Sequence, residues 1–296
     1  MSPRRNRRAA EGGSSRLARR SPLPATSGKR RALGQHFLRD AAAARRIVDL
    51  VGPTGRDLVL EIGPGEGALT GLLAVASGRL IALEIDPALA ARLRERFGAS
   101  AHVDIRGADA RVFDYAGLPG LRPDPAGRVL VVGNLPYSVG KPILMSLVEA
   151  GSAIAQVATM EMALMLQKEV AERVAASPST RAYGALSVLS QVACEVRVAF
   201  AVPPGAFRPP PRVDSAVLHL RIRGEPPVPV ADPRRFRAVV RAAFAQRRKN
   251  LVNALAPGLG LSADRVRGAL VDAGLDPGRR SETLSLAEFA RLAALL

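Results

Sequence analysis

The sequence predicts an α/β fold: a doubly wound, Rossmann-like parallel sheet with a small C-terminal all-α domain. Three observations predict it. From about residue 57, short aliphatic runs alternate with amphipathic helical stretches. A Pro-rich stretch, "RGEPPVPVAD" (223–232), then interrupts the alternation. Beyond it every segment carries helix caps and helical periodicity.

In chain order, "LVLEIG" (58–63), "LIALEI" (80–85), "HVDIR" (102–106) and "VLVVGN" (129–134) read as strands. "GALTGLLAVA" and "PALAARLRERFG" lie between them as amphipathic helices, which implies helices on both faces of a parallel sheet. "MEMALMLQ" (160–167), with larger and smaller apolar residues in alternation, leads into the helical "KEVAERVAA". "QVACEVRVAFAV" and "SAVLHLRIR" are late strands joined by "VPPGAFRPPPRVD", and this closeness suggests an antiparallel pair at the sheet edge. In the last domain, "PRRFRAVVRAAFAQRRKNLVNAL" reads as one helix capped by Asp232 with Pro233 at its first position. "SADRVRGALVDAG" starts at Ser262 and stops at Gly274, and "SLAEFARLAALL" opens on Ser285 with Glu288 at capping-box spacing. The expected organisation is a disordered basic arm (1–30), a sheet domain (31–223) and a helical domain (224–296).

Composition bounds the function. A chain of 296 residues, 48% hydrophobic, can bury a large core. Its formal charge of +17 points to a polyanionic partner, nucleic acid before membrane. Residues 1–31 hold ten Lys/Arg against Glu11, a net +9, so the folded part is basic too. That arm has no apolar core of the signal-peptide kind, and no run of about 18 apolar residues occurs, so a membrane segment is not expected. One cysteine, Cys194, excludes an internal disulfide and reads as a buried thiol. Three scattered histidines beside it do not make a zinc site, so no metal is expected.

The motifs at the strand ends carry the chemistry. "EIGPGEG" puts Gly63, Gly65 and Gly67 after the first strand, where a tight turn lets a ligand approach the backbone. The spacing is G-x-G-x-G, which departs from the dinucleotide fingerprint and disfavours a nicotinamide-linked enzyme. Glu84 ends the second strand, 21 residues after Gly63, where an acid accepts from ribose hydroxyls. Asp109 follows the third strand and can accept from an adenine amino group. The fourth strand ends in Asn134-Leu135-Pro136-Tyr137. This set is the layout of amino-group methyltransferases that use S-adenosylmethionine. An exocyclic adenine amine is a weak nucleophile, because its lone pair is delocalised into the ring. The Asn134 side-chain carbonyl and the Leu135 main-chain carbonyl can accept its two N–H groups and turn the lone pair outward. Pro136 brings no competing donor, and Tyr137 offers a flat face to the base.

With those residues in place, the chain resembles the small-subunit ribosomal RNA adenine dimethyltransferases, the KsgA/RsmA family. The resemblance runs from about Arg31 to the C-terminus, through "LGQHFLRD", "LEIGPGEGALT", "LEID", "GNLPY", "MLQKEVAERV", "YGALSVL", "VPPGAFRPPPRVDSAV" and "SETLSLAEF". It implies a class I methyltransferase sheet and S-adenosylmethionine as cofactor. The implied reaction is dimethylation of N6 on two adjacent adenines in the 3′-terminal hairpin loop of small-subunit rRNA. The implied substrate is a pre-assembled 30S-like particle late in maturation, and the implied enzyme is a cytoplasmic monomer. The resemblance also implies that His36 and Leu38 fold over the cofactor with Gly63, Glu84, Asp109 and Asn134. Phe207 would be the second wall of the base pocket, facing Tyr137. His36 stands where the family usually has Asn, Ala108 where it often has Gly, and "SVGKPIL" replaces the usual "NISTPIL". In the helical domain, "QRRKN" (246–250) offers three consecutive cations at a helix start for RNA phosphate. Two other readings share the fold: an erythromycin-resistance type acting on large-subunit rRNA, and a non-catalytic ribosome assembly or transcription factor. "QKEVAERV" and "PPGAFRPPP" favour the small-subunit type over the first, and intact Glu84, Asp109 and Asn134 argue against the second.

Overall fold

The computed structural model describes residues 35–296, so the basic arm and the start of the sheet domain lie outside the described residues. One sheet of seven strands organises the chain: β1 (Leu58–Ile62), β2 (Arg79–Glu84), β3 (Val103–Gly107), β4 (Val129–Asn134), β5 (Met160–Gln167), β6 (Cys194–Val202) and β7 (Ser215–Ile222). The spatial order is β3-β2-β1-β4-β5-β7-β6. Strands β1 to β5 run parallel, while β7 lies antiparallel between β5 and β6. The edge pair expected from the Pro-rich connection is therefore present.

The central strands are apolar without a break because both faces of the sheet are covered. Leu58, Leu60 and Ile62 of β1 face the core packed by helix α4 (Gly140–Ile154). Val59, between them, faces the opposite core with Ile47 and Val48 of α1 (Ala41–Val51) and Leu73 of α2 (Thr70–Ala76). Helix α3 (Pro87–Phe97) covers β2 and β3 with Leu93 and starts where the side chain of Asp86 caps it. Cys194 is buried at the start of β6, and burial pushes its thiol up to about 12, as expected of a structural cysteine.

The edge of the sheet away from the motifs is held by charge. Arg128, just before β4, donates to Asp57 before β1 at 2.7 Å, and to the Val51 and Gly52 carbonyls that end α1. Burial raises the Asp57 carboxyl, but Arg128 and Thr54 outweigh it and leave its pKa below the usual value.

Helices α5 (Lys168–Val174) and α6 (Ala185–Ala193) lead from the sheet to the helical domain of α7 (Pro233–Ala245), α8 (Leu251–Leu259), α9 (Ala263–Asp272) and α10 (Leu286–Leu295). Asp232 caps α7, Ser262 caps α9, and Ser285 with Glu288 forms the capping box of α10. Gly274 takes a left-handed φ of 70° after α9. The expected single helix over 233–255 is instead two. Gln246 ends α7 and Asn250 caps α8, so "QRRKN" is the link between helices, not a helix start. The boundary at residue 223 also does not divide the cores. Tyr183, Val188 and Leu189, all before it, pack with Phe236, Val240 and Phe289 in the helical core.

Candidate active site

The strand-end motifs meet at the carboxyl edge of the sheet, where β1 lies between β2 and β4 and the chain winds outward in both directions. Open parallel sheets bind ligands at such a switch point. A cavity of about 310 Å³ opens there. His36, Leu38, Gly63, Glu84, Asp109, Asn134, Leu135, Pro136 and Tyr137 all line it.

The floor is the glycine turn after β1. Gly63, Gly65 and Gly67 have φ of 67°, 57° and 85°, left-handed values that side chains disfavour. At Gly65 a Cβ would also lie 2.8 Å from the Phe37 ring, so this position admits no side chain on either count. The Gly65 N–H donates to Glu84 at 3.0 Å, and the Asp86 N–H donates to the other Glu84 oxygen at 2.9 Å. Burial pushes the Glu84 carboxyl above the usual carboxylate range, and these two N–H groups pull it partly back. Glu61, beneath the turn, is wholly enclosed, and burial lifts its carboxyl to about 8. Asp109 is partly buried at the rim and grips Arg111, whose Nη2 lies 2.6 Å from one carboxylate oxygen. This pairing lowers the Asp109 pKa.

The reacting corner is built by the end of β4 and the loop that joins it to α4. The Leu135 N–H is held by the Met165 carbonyl of β5 at 3.0 Å. Tyr137 is half-buried, with its hydroxyl 2.7 Å from the buried Ser215 hydroxyl of β7. The Asn134 Nδ2 donates to the His36 main-chain carbonyl at 2.8 Å. The His36 ring contacts Tyr137 with centroids 5.4 Å apart, and its Nδ1 lies 2.8 Å from the Pro209 carbonyl, so that nitrogen carries the proton.

Phe207 is placed differently from the expectation. It is buried among Leu38, Met165 and Val217, and it pairs with Leu38 in a short two-stranded ribbon of Phe37–Leu38 and Phe207–Arg208. It does not line the cavity, and the ring beside Tyr137 is that of His36. The physical reason is the ribbon: its pairing register turns the Phe207 ring into the apolar core under Leu38.

Comparison with known proteins decides the family. The profile described as "Ribosomal RNA adenine dimethylase" matches residues 26–296. The chain is 44% identical over 264 residues to the ribosomal RNA small subunit methyltransferase A of Geobacter metallireducens, spanning 89% of this chain and 94% of that one. It is 45% identical over 265 residues to the same-named protein of Anaeromyxobacter dehalogenans, spanning 88% and 90%. Among solved structures, the 23S rRNA methyltransferase ErmE is similar at TM-score 0.62 and 30% identity, covering 88% of this chain and 99% of that one. A dimethyladenosine transferase from Plasmodium falciparum shares the fold at TM-score 0.68 and 21% identity, covering 87% and 96%. The chain belongs to the ribosomal RNA adenine dimethylase family.

A member of that family is an rRNA adenine dimethyltransferase dependent on S-adenosylmethionine, and the cavity fits this cofactor. Gln35 Oε1 and Glu61 Oε2 both line it as buried acceptors without a partner among the described residues, an arrangement suited to a ligand ammonium. Glu84 and Asp109 offer carboxylates at the ends of β2 and β3, and Leu38, Ile85 and Ala110 give apolar surface between them. Gln35, Phe37 and Arg111 are lining residues that reasoning from sequence did not single out, and Glu61 was placed at the end of the first strand without a role. The signal for Glu61 was present: an acid inside an all-apolar strand is abnormal unless its environment keeps it neutral or pairs it. No helix among the described residues is long and apolar enough to cross a membrane.

Proposed function

We propose that this dimethyltransferase modifies N6 of two adjacent adenines in the 3′-terminal hairpin loop of small-subunit rRNA. Its substrate is a 30S-like particle, and it acts in the cytoplasm as a monomer late in assembly. The observation that carries this reading is the corner at the end of β4. No N–H among the described residues donates to Asn134 Oδ1 or to the Leu135 carbonyl, so both acceptors are free for an amino group.

Bound S-adenosylmethionine supplies an electrophilic methyl carbon on its sulfonium. The chain's own residues orient and exclude. Glu84 takes the ribose hydroxyls and Asp109 the cofactor's adenine amino group. Asn134 Oδ1 and the Leu135 carbonyl take the two N–H groups of the target amine and direct its lone pair into the cavity. Tyr137 gives the extruded base a stacking face, worth about 1–3 kcal/mol per base. Orientation of this kind supplies a large part of the rate enhancement, and no strong base is needed, because the nitrogen becomes acidic once it is alkylated. A dimethylated product requires the corner to accept a monomethylated amine in a second round, with one N–H left to hold.

The "QRRKN" link supports an RNA-facing role for the helical domain. Arg247, Arg248 and Lys249 are exposed between α7 and α8, and Arg247 reaches the Arg181 carbonyl across the domain boundary. The test is transfer of tritiated methyl groups to undermethylated 30S particles, naked rRNA and 50S particles in parallel, with Asn134→Ala beside the native enzyme. Transfer to 30S alone, lost in Asn134→Ala with the fold retained, is expected. Transfer chiefly to 50S would assign the chain to the large-subunit type that ErmE represents.

A further inference from the structure

Residues Gln35 to Leu38 line the cavity as a strap that continues into Arg39. Three fastenings hold it from the outside. Phe37 and Leu38 pair with Arg208 and Phe207. The Arg39 N–H donates to the Ala206 carbonyl at 2.7 Å, and the Arg39 guanidinium pairs with Glu66 in the glycine turn. His36 Nδ1 donates to the Pro209 carbonyl. The fourth fastening is to the reacting corner itself, where Asn134 Nδ2 donates to the His36 main-chain carbonyl at 2.8 Å.

A primary amide has a donating end and an accepting end, and a main-chain carbonyl can only accept. The end of Asn134 that faces His36 is therefore the NH₂. A half-turn of the amide would set two oxygens against each other. Oδ1 is thus turned away from the strap, and no described group donates to it.

We infer that the main-chain carbonyl of His36 is a positioning group: it fixes the Asn134 amide so that Oδ1 faces the incoming adenine amine. The inference rests on the reading of Asn134 as an acceptor for that amine. It joins two events at one contact. Docking of the strap covers the cofactor cavity, and the same hydrogen bond aligns the acceptor, so the corner is correctly set only when the cavity is closed. It also gives the amide a reason over a carboxylate. An aspartate would still offer an oxygen to the base, but its second oxygen would repel the His36 carbonyl.

The discriminating variant is Asn134→Asp, compared with Asn134→Ala in the full chain. Two readouts are taken: kcat and KM for methyl transfer to undermethylated 30S particles, and hydrogen exchange of residues 35–40 without cofactor or RNA. For Asn134→Asp, kcat falls by about 100-fold, the loss that a misplacement near 1 Å produces, with KM for the particle changed by less than about threefold. Exchange over residues 35–40 speeds up, while β4 and α4 keep native protection. A kcat within about threefold of the native enzyme, or native exchange across the strap, overturns the inference. An active Asn134→Asp beside a dead Asn134→Ala removes the strap's role and leaves the acceptor reading standing. An active Asn134→Ala removes the acceptor reading itself.

Discussion

Glu61→Gln should flatten the dependence of stability on pH. The Glu61 carboxyl is enclosed in β1, and one of its oxygens has no partner among the described residues. Burial is the main force on it; the charge of Glu84 adds, Thr70 opposes, and the result is a rise from 4.5 to about 8. Between those values the folded chain holds a proton that the unfolded chain has released. The unfolded state binds fewer protons, so stability falls as pH rises through this window and levels off above the folded value. The slope is about 1.4 kcal/mol per pH unit at pH 6 and halves by the folded value, so the loss from pH 6 to pH 8 is about 2 kcal/mol. Glutamine has nearly the same shape and no proton to lose, so its stability should lack this component. The assay is urea unfolding of both proteins at half-unit steps from pH 6 to pH 9. A uniform offset between the curves is compatible with the reasoning, since glutamine adds an N–H to a site with few acceptors. Curves of the same slope across the window would refute it, because they would mean that Glu61 is already ionised at pH 6.

Arg128→Ala removes the ion-pair partner of buried Asp57 at the far edge of the sheet but leaves the Thr54 and residue-128 N–H donors, so it should cost about 1–3 kcal/mol in urea unfolding while cofactor affinity stays native. Tyr137→Phe keeps the stacking face but strands the Ser215 hydroxyl, which is fully buried. It should lower stability by about 1–3 kcal/mol and leave kcat within a few-fold, whereas Tyr137→Ala should raise KM for RNA by the loss of a stack worth about 1–3 kcal/mol. Replacing Arg247, Arg248 and Lys249 together by Ala should reduce the slope of log affinity against log salt by about 2–3, measured by filter binding to rRNA, without changing cofactor affinity.

Much of this architecture was legible because its signals are local. A strand covered on both faces must be apolar at every position, and β1, β2 and β4 are read at once from that rule. The caps of α7, α9 and α10 are equally local: a side-chain oxygen must meet N–H groups two or three residues on. Helices α1, α4 and α6 were not read as elements, although α1 carries local signals of the same kind, with Asp40 as its cap and Gly52 ending it in the left-handed region. Helix α4 begins without a side-chain cap, on Gly140 and with Pro142 inside its first turn. Its apolar residues also spread around the helix, because it packs on both the sheet and α6. The break at "QRRKN" escaped for a related reason. Its residues are all tolerable in a helix, and only the Asn250 cap and the return of α8 against α7 stop it.

The site shows where a motif stops informing. Residue type and strand end were enough to bring Gly63, Glu84, Asp109 and Asn134 to one cavity, because topology alone puts those ends together. What each side chain faces is decided by partners distant in sequence. Asn134 meets His36, 98 residues away, and Tyr137 meets Ser215, 78 residues away. Phe207 obeys the same logic in the other direction. The family resemblance implied an aromatic wall, but pairing with Leu38 makes it the anchor on which the strap rests. An anchor and a wall predict different losses on substitution. Truncating a wall weakens RNA binding alone, whereas Phe207→Ala should also loosen Leu38 and with it the His36 carbonyl. Its cost should therefore appear as faster hydrogen exchange over residues 35–40 and a lower kcat, before any RNA contact is considered.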